Sequence, residues 1–532
     1  MLLPRDGVGY ECPGYSGYSL GLQMKIAEIF KNTGYGNPVV ENPLFKKTGT
    51  WHRHLLTPFD VRLGLRHEAP IGDTHRWTSG AGESLGRLAK FYKTADPAFA
   101  GEMMGTYKML RDQGYRGSLQ TDLIGVDWSI PATPVEKLDW NSHEFYGFGA
   151  ILRSGFGTPH ETFASFKAGP AQGHYHNDEL SFHFYGMGTP LSLDYNCSYH
   201  PRGDHAALHN SMTFGIAKPF THTGDATAVE AMKQIGGVAR VGAFKSTPAA
   251  DLVVAERTDD SLTLSPIYPE DAKFQYPYPS RQAAIPITHR RFLMLVKNPQ
   301  GSKLADYLVV RDETRSADRQ QLNIHLLARD VAAPENLGGG QIIRAAGQWN
   351  TDALVYLAAP KVASFNVGRW FYHDEFMSGP GQYGDPKSEA NQAWARKISE
   401  SDGQALVPPL GWKDKWMVGE YQKWLQIGTA PGTPMTWVLY PKKQGGAEPK
   451  FETLEGGSGV RVSLGTESEE ILLATQPGAG AQGQAIVRRG GRETPVLAAG
   501  AVPALGQIKS GALGLAGTLV DDAKPQKQPR TR

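Results

Sequence analysis

From residue 144 onward the chain consists of short runs in which apolar and polar residues alternate, each ended by Gly or Pro, and few folds accept that texture. FGAILRSGF, ETFASFKAG, LSFHFYG, TPLSLDY, DLVVAER, RRFLMLVK, DYLVVRDE, ALVYLAA and TWVLYP recur at intervals of about ten residues. Successive strand side chains point to opposite faces, so alternation of this kind marks strands with a buried face. Strands this short and regular pair with neighbours and build a large antiparallel β-sandwich or stacked sheets. Residues 18 to 115 or so differ. SLGLQMKIAEIFKNTG carries apolar residues at helical spacing and stops at Gly34. SLGRLAKFYKTADPAFAGEMMGTYKMLRDQG reads as two further helices, the second starting at Asp96-Pro97 and closing near Gly114.

The expected architecture is therefore an α+β multidomain protein. Residues 1–118 form a helical portion and 119–143 a linker containing IPATPVEKLDW. Residues 144–400 form an antiparallel β-sheet domain, 401–520 a C-terminal β region and 521–532 a polar tail. At 532 residues the chain is too long for one core. Its 40% apolar and 20% charged residues are ordinary for a globular protein. A formal net charge of +2 exerts little long-range pull on a polyanion, which argues against nucleic acid as a partner. No apolar run is long enough to span a membrane, and MLLPRDGVGYECPGY lacks the apolar core of a signal peptide. The two cysteines, Cys12 and Cys197, do not make a disulfide framework. Nothing in the sequence sets an oligomeric state.

Six of the sixteen histidines fall between residues 174 and 209: His174, His176, His183, His200, His205 and His209. Packing does not call for that density of imidazole; metal binding and proton transfer do. If GHYHNDELSFHFYG is a strand, His174 and His176 share a face. Asp194 follows on TPLSLDYN and His209 closes the segment, so His176, Asp194 and His209 make a donor set suited to zinc. His183, between Phe182 and Phe184, is expected to face solvent. A single strand histidine is more often a half-buried polar residue, and it is the combination that points to metal.

Near the start stands DGVGYECPGYSGYSLG, with Tyr10, Tyr15 and Tyr18 ahead of a helix. Such tyrosines either pack at a helix entry or hold a phenol at a cleft wall as acid or base. Together, G-H-Y-H-N-D-E-L-S-F-H-F-Y-G-x-G-x-P-L-x-L-D, the later A-x-x-H-N-S and D-G-x-x-Y-E-x-P-x-Y-x-x-Y resemble the heparinase II/III-like polysaccharide lyases, most closely their alginate-lyase branch. The resemblance spans residues 1–220, with Leu152-Arg153-Ser154 fitting as well. It implies a partial (α/α) toroid of helices followed by a large antiparallel β-sandwich domain. It also implies β-elimination on a uronic-acid-containing glycan, Tyr15 and His174 as acid-base groups, and structural zinc on His176, Asp194 and His209. Family members carry Asn or His well before the tyrosine. Here fourteen residues precede Tyr15 and none is either, so an N-terminally incomplete version is expected.

An anionic polysaccharide needs a basic lining. Residues 45–90 hold eight Lys or Arg against four acids, with aromatics interleaved in TWHRHLL and GDTHRW. Arg53, Arg76, Arg153 and Tyr18 are the expected substrate contacts; a solvated helical face is the alternative. Secretion or a periplasmic location is expected from polymer size. Two other functions fit parts of the pattern. One is a zinc-dependent glycan hydrolase with water on His176, Asp194 and His209, although no HExxH accompanies them. The other is a non-catalytic glycan-binding protein.

Overall fold

The structure is a computed structural model. It describes residues 6–61, 64–74, 82–171, 174–194, 206–215, 234–235, 238–263, 280–360, 364–369, 422–474, 484–498 and 500–508.

Among the described residues five α-helices precede the sheets: α1 (Pro13–Asn32), α2 (Pro38–Glu41), α3 (Leu44–His54), α4 (Gly82–Tyr92) and α5 (Pro97–Asp112). Pro13 opens α1, where its missing N–H costs nothing and its fixed φ favours the helix. α5 starts where Asp96 accepts the Phe99 N–H at 3.1 Å. Leu20, Met24, Leu85, Leu88, Met103, Met104 and Tyr107 form the helical core. A toroid is not seen among the described helices.

Four antiparallel sheets follow among the described residues. The first runs in sequence order: β1 (His143–Phe145), β2 (Gly149–Ser154), β3 (Thr162–Lys167), β4 (Phe182–Gly186) and β5 (Thr189–Ser192). A ten-stranded sheet occupies the middle of the β region, and alternation along its strands serves two cores. Leu252, Val254, Phe292, Met294, Val438 and Tyr440 pack with Val460, Val462 and Ile471 of the last sheet. Val253, Ala255, Leu293, Leu295, Trp437 and Leu439 pack with Leu152, Phe166 and Phe184 of the first sheet and with Leu322 and Ile427 of a four-stranded one. The large sheet is thus apolar on both faces, and each fully buried Leu, Val or Phe contributes about 1.5–3 kcal/mol.

Strands Lys423–Thr429 and Met435–Lys443 hydrogen-bond to Gln320–Leu326 and Tyr307–Arg315, far back in the chain. The five-stranded C-terminal meander therefore begins at Lys450 rather than near residue 400. Strand partnership, not a change in local texture, sets that division.

The first sheet is also covered on its other face. Ile151, Phe163, Tyr185 and Leu193 meet Val8, Trp51, Leu55 and Ile71 from the helical portion. That junction brings the N-terminal tyrosines to the histidine segment.

Candidate active site

Tyr15 lies in the first turn of α1, and its ring stacks on that of His174, with centroids 3.8 Å apart and planes 3° from parallel. Glu11 Oε1 lies 3.3 Å from His174 Nδ1. The His174 side chain is 41% exposed and that of Glu11 31%, so solvent reaches this phenol–imidazole–carboxylate group. The rings touch, so nothing can enter between them. Tyr18, one turn along α1, is 67% exposed on the same helix.

His174 and His176 are not partners on a strand. The strand starts at Phe182, and the residues before it are irregular, with positive φ at His174 (55°) and Leu180 (65°). The two histidines part company. His174 goes to Tyr15, while His176 Nε2 lies 2.8 Å from Asp73 Oδ1 and its ring centroid 5.2 Å from that of His209.

Asp194 sits two residues past β5 at the centre of the buried group. Its Oδ2 lies 2.9 Å from His209 Nδ1 and 3.2 Å from His183 Nε2. Its Oδ1 accepts the Ser181 hydroxyl at 2.9 Å and the Asn210 N–H at 3.2 Å. Burial alone would raise its pKa. The His209 and His183 imidazoles beside it overcome that and hold the carboxyl well below the ordinary range. His183 is not on a solvent face: it is 1% exposed, because both sides of β4 are covered. Among the described residues no three His, Cys, Asp or Glu side chains are arranged to hold a metal ion. The donor chemistry still suits zinc: an ionised carboxylate lies between imidazoles, and the buried His209 Nε2 has no hydrogen-bond partner among the described residues.

The described arginines of the basic segment, Arg53, Arg66 and Arg87, are spent inside the protein. Arg53 is 3% exposed and pairs with Glu102 at 2.8 Å. Arg153, also 3% exposed, bonds Glu161 and the carbonyls of His54 and Leu56. Arg66 Nη1 meets the same Glu161 at 2.9 Å and the Thr57 carbonyl at 2.9 Å. His52 pairs with Glu68 and His67 with Asp60, all buried. A buried, paired guanidinium is not available to a glycan in solvent: Arg53 ties α3 to α5, and Arg153 braces the helix–sheet junction. Arg76, His200 and His205 lie outside the described residues.

Glu11 and Asp73 were not singled out by the sequence reading. Glu11 stood in the Y-E-x-P run and Asp73 in GDTHRW. Only contacts made across the fold mark them as neighbours of His174 and His176.

No family model matches the chain, and no curated protein matches it in sequence. Solved structures do match. A heparinase III gene product aligns over 93% of this chain with a TM-score of 0.51 and 14% identity. The chain has a heparinase III-like fold. The heparan sulfate lyase HepC from Pedobacter heparinus aligns over the same 93% of this chain, with a TM-score of 0.52 and 12% identity. The alignments cover 59% and 60% of those two proteins, so the chain spans about three-fifths of their length.

Proposed function

We propose that this protein is a polysaccharide lyase that cleaves a uronic-acid-containing glycan by β-elimination. One observation carries the reading: a solvent-reached tyrosine stacked on a histidine, joined across the helix–sheet junction of a heparinase III-like fold. One of the similar structures is a heparan sulfate lyase, which favours a glycosaminoglycan-like polymer over other uronates. A polymer of that size places the reaction outside the cytoplasm.

The chemistry follows from what the two side chains carry. A base removes the proton on C5, alpha to the carboxylate, as the C4–O bond breaks. The C4–C5 double bond forms, and the departing oxygen takes a proton. Tyr15 and His174 divide this work. A proton on His174 Nδ1 points to Glu11, which leaves Nε2 free to accept or deliver one at the sugar. The phenol of Tyr15 lies against the same imidazole and is the second proton carrier. General acid-base help of this kind is worth roughly 10²–10⁴-fold. Zinc on His176, Asp194 and His209 would be structural, tying the histidine segment to the first sheet without meeting the sugar.

The test is incubation with heparan sulfate, heparosan and alginate, followed by ultraviolet absorbance of the unsaturated product. A rise that Tyr15→Phe abolishes supports the reading. Binding without any rise, unchanged in Tyr15→Phe, would favour a glycan-binding protein instead.

A further inference from the structure

Resting on that reading, we infer that the short loop Gly72–Asp73–Thr74 is the positioning element of the Tyr15–His174 pair. It grips the backbone on both sides of the stack. On the tyrosine side, the N-cap residue of α1, Cys12, makes no side-chain cap bond. The Gly14 N–H, one of the donors a helix start leaves unsatisfied, goes to Thr74 Oγ1 at 2.9 Å. The turn that carries Tyr15 therefore takes a capping bond from this loop.

On the histidine side, the Asp73 N–H donates to the His174 carbonyl at 2.9 Å. His174 has φ 55°, a conformation uncommon for any residue but glycine, and this bond falls on the residue that adopts it. Two residues on, the Asp73 carboxylate reaches His176 Nε2 at 2.8 Å. Gly72 makes the approach feasible. Its φ is +59°, and a Cβ there would lie 2.5 Å from the His174 carbonyl oxygen and 3.1 Å from Cys12 Cβ. One loop thus ties a helix start to a histidine 160 residues further along. Gly72, Asp73 and Thr74 are positioning residues: they act through Tyr15 and His174.

The experiment uses the full chain labelled with ¹³C-histidine. The imidazole signal of His174 is assigned by its loss in His174→Gln. Stacked on a phenol ring it carries a ring-current shift, whose size is set by comparison with Tyr15→Leu. Gly72→Ala and Thr74→Val are expected to move the His174 signal toward its Tyr15→Leu position while thermal unfolding stays cooperative. On a cleaved glycan kcat is expected to fall about 10- to 100-fold with KM little changed, and Thr74→Ser, which keeps the accepting oxygen, to restore both readouts. A His174 signal that stays at its wild-type position in both Gly72→Ala and Thr74→Val overturns the inference, whatever happens to activity. If the signal moves as expected but no chain yields unsaturated product from any uronate glycan, the positioning role stands and the lyase reading fails.

Discussion

The ring of Tyr15 lies flat against that of His174, 3.8 Å away and within 3° of parallel, although Tyr15 belongs to the first helix and His174 to the segment ahead of β4. Removing only the phenolic oxygen tests what the contact is for. Tyr15→Phe keeps the stacking area, so its melting temperature is expected to stay within a few degrees of wild type. Formation of unsaturated product is expected to fall by roughly 10²–10⁴-fold. Unfolding curves and product absorbance on the same preparation check both halves.

The Arg66–Glu161–Arg153 cluster is expected to act on stability and not on substrate binding. All three side chains are nearly fully buried. Glu161→Ala leaves two guanidinia without their shared carboxylate, and removing one partner of a buried pair typically costs about 3–5 kcal/mol. Urea unfolding should show that loss. Arg153→Met should likewise lower stability, with KM for any cleaved glycan unchanged where the fold persists. A raised KM at full stability would return Arg153 to the sugar site.

Acid is expected to destabilise the β region early. Burial pushes His289 down to about 4 and His325 down to about 3. Unfolded imidazole titrates near about 6.5, so below that pH the unfolded chain binds protons that the native chain refuses. Stability is therefore full above that range and declines as pH falls toward the folded values. His325→Gln removes one such site and can still donate toward the Ala207 carbonyl that His325 Nε2 meets at 2.9 Å. Its loss of stability between pH 7 and pH 5 should be smaller than that of wild type by the uptake of about one proton. Urea midpoints across that range measure the difference.

Zinc, if it occupies the buried imidazole–carboxylate group, is expected at about one equivalent per chain, as structural sites hold a single ion. Elemental analysis of the purified protein reads it directly. Asp194→Ala should lose the metal and melt at lower temperature. Chelation of the wild type should lower the melting temperature before it lowers activity, because Tyr15 and His174 lie outside the donor set. Instant loss of activity with unchanged melting would point to a metal in the reaction itself.

The alternation that marks Leu252–Ala255, Phe292–Leu295 and Trp437–Tyr440 as strands is a local property, and the strands are there. So are the start of α5 at Asp96 and the end of α1 just before Gly34. Periodicity and caps act through neighbours along the chain, so they can be read without a fold. The same holds for the residue types at the site: a tyrosine, a histidine and an imidazole–carboxylate set with plausible chemistry.

Tertiary structure decided which of those residues meet. His183 alternates as a surface residue should, yet β4 has layers over both faces and His183 turns to Asp194. Arg53 and Arg153 read as a basic lining until Glu102 from another helix and Glu161 from across the β2–β3 turn pair with them in the folded molecule. The pairing of Tyr15 with His174 depends on a left-handed backbone at His174 and on a loop from a third part of the chain. A sequence pattern records which side chains share a face, and it carries no information on what is packed against that face. Exposure, charge state and contact are set by that partner, so they exist only in the folded molecule.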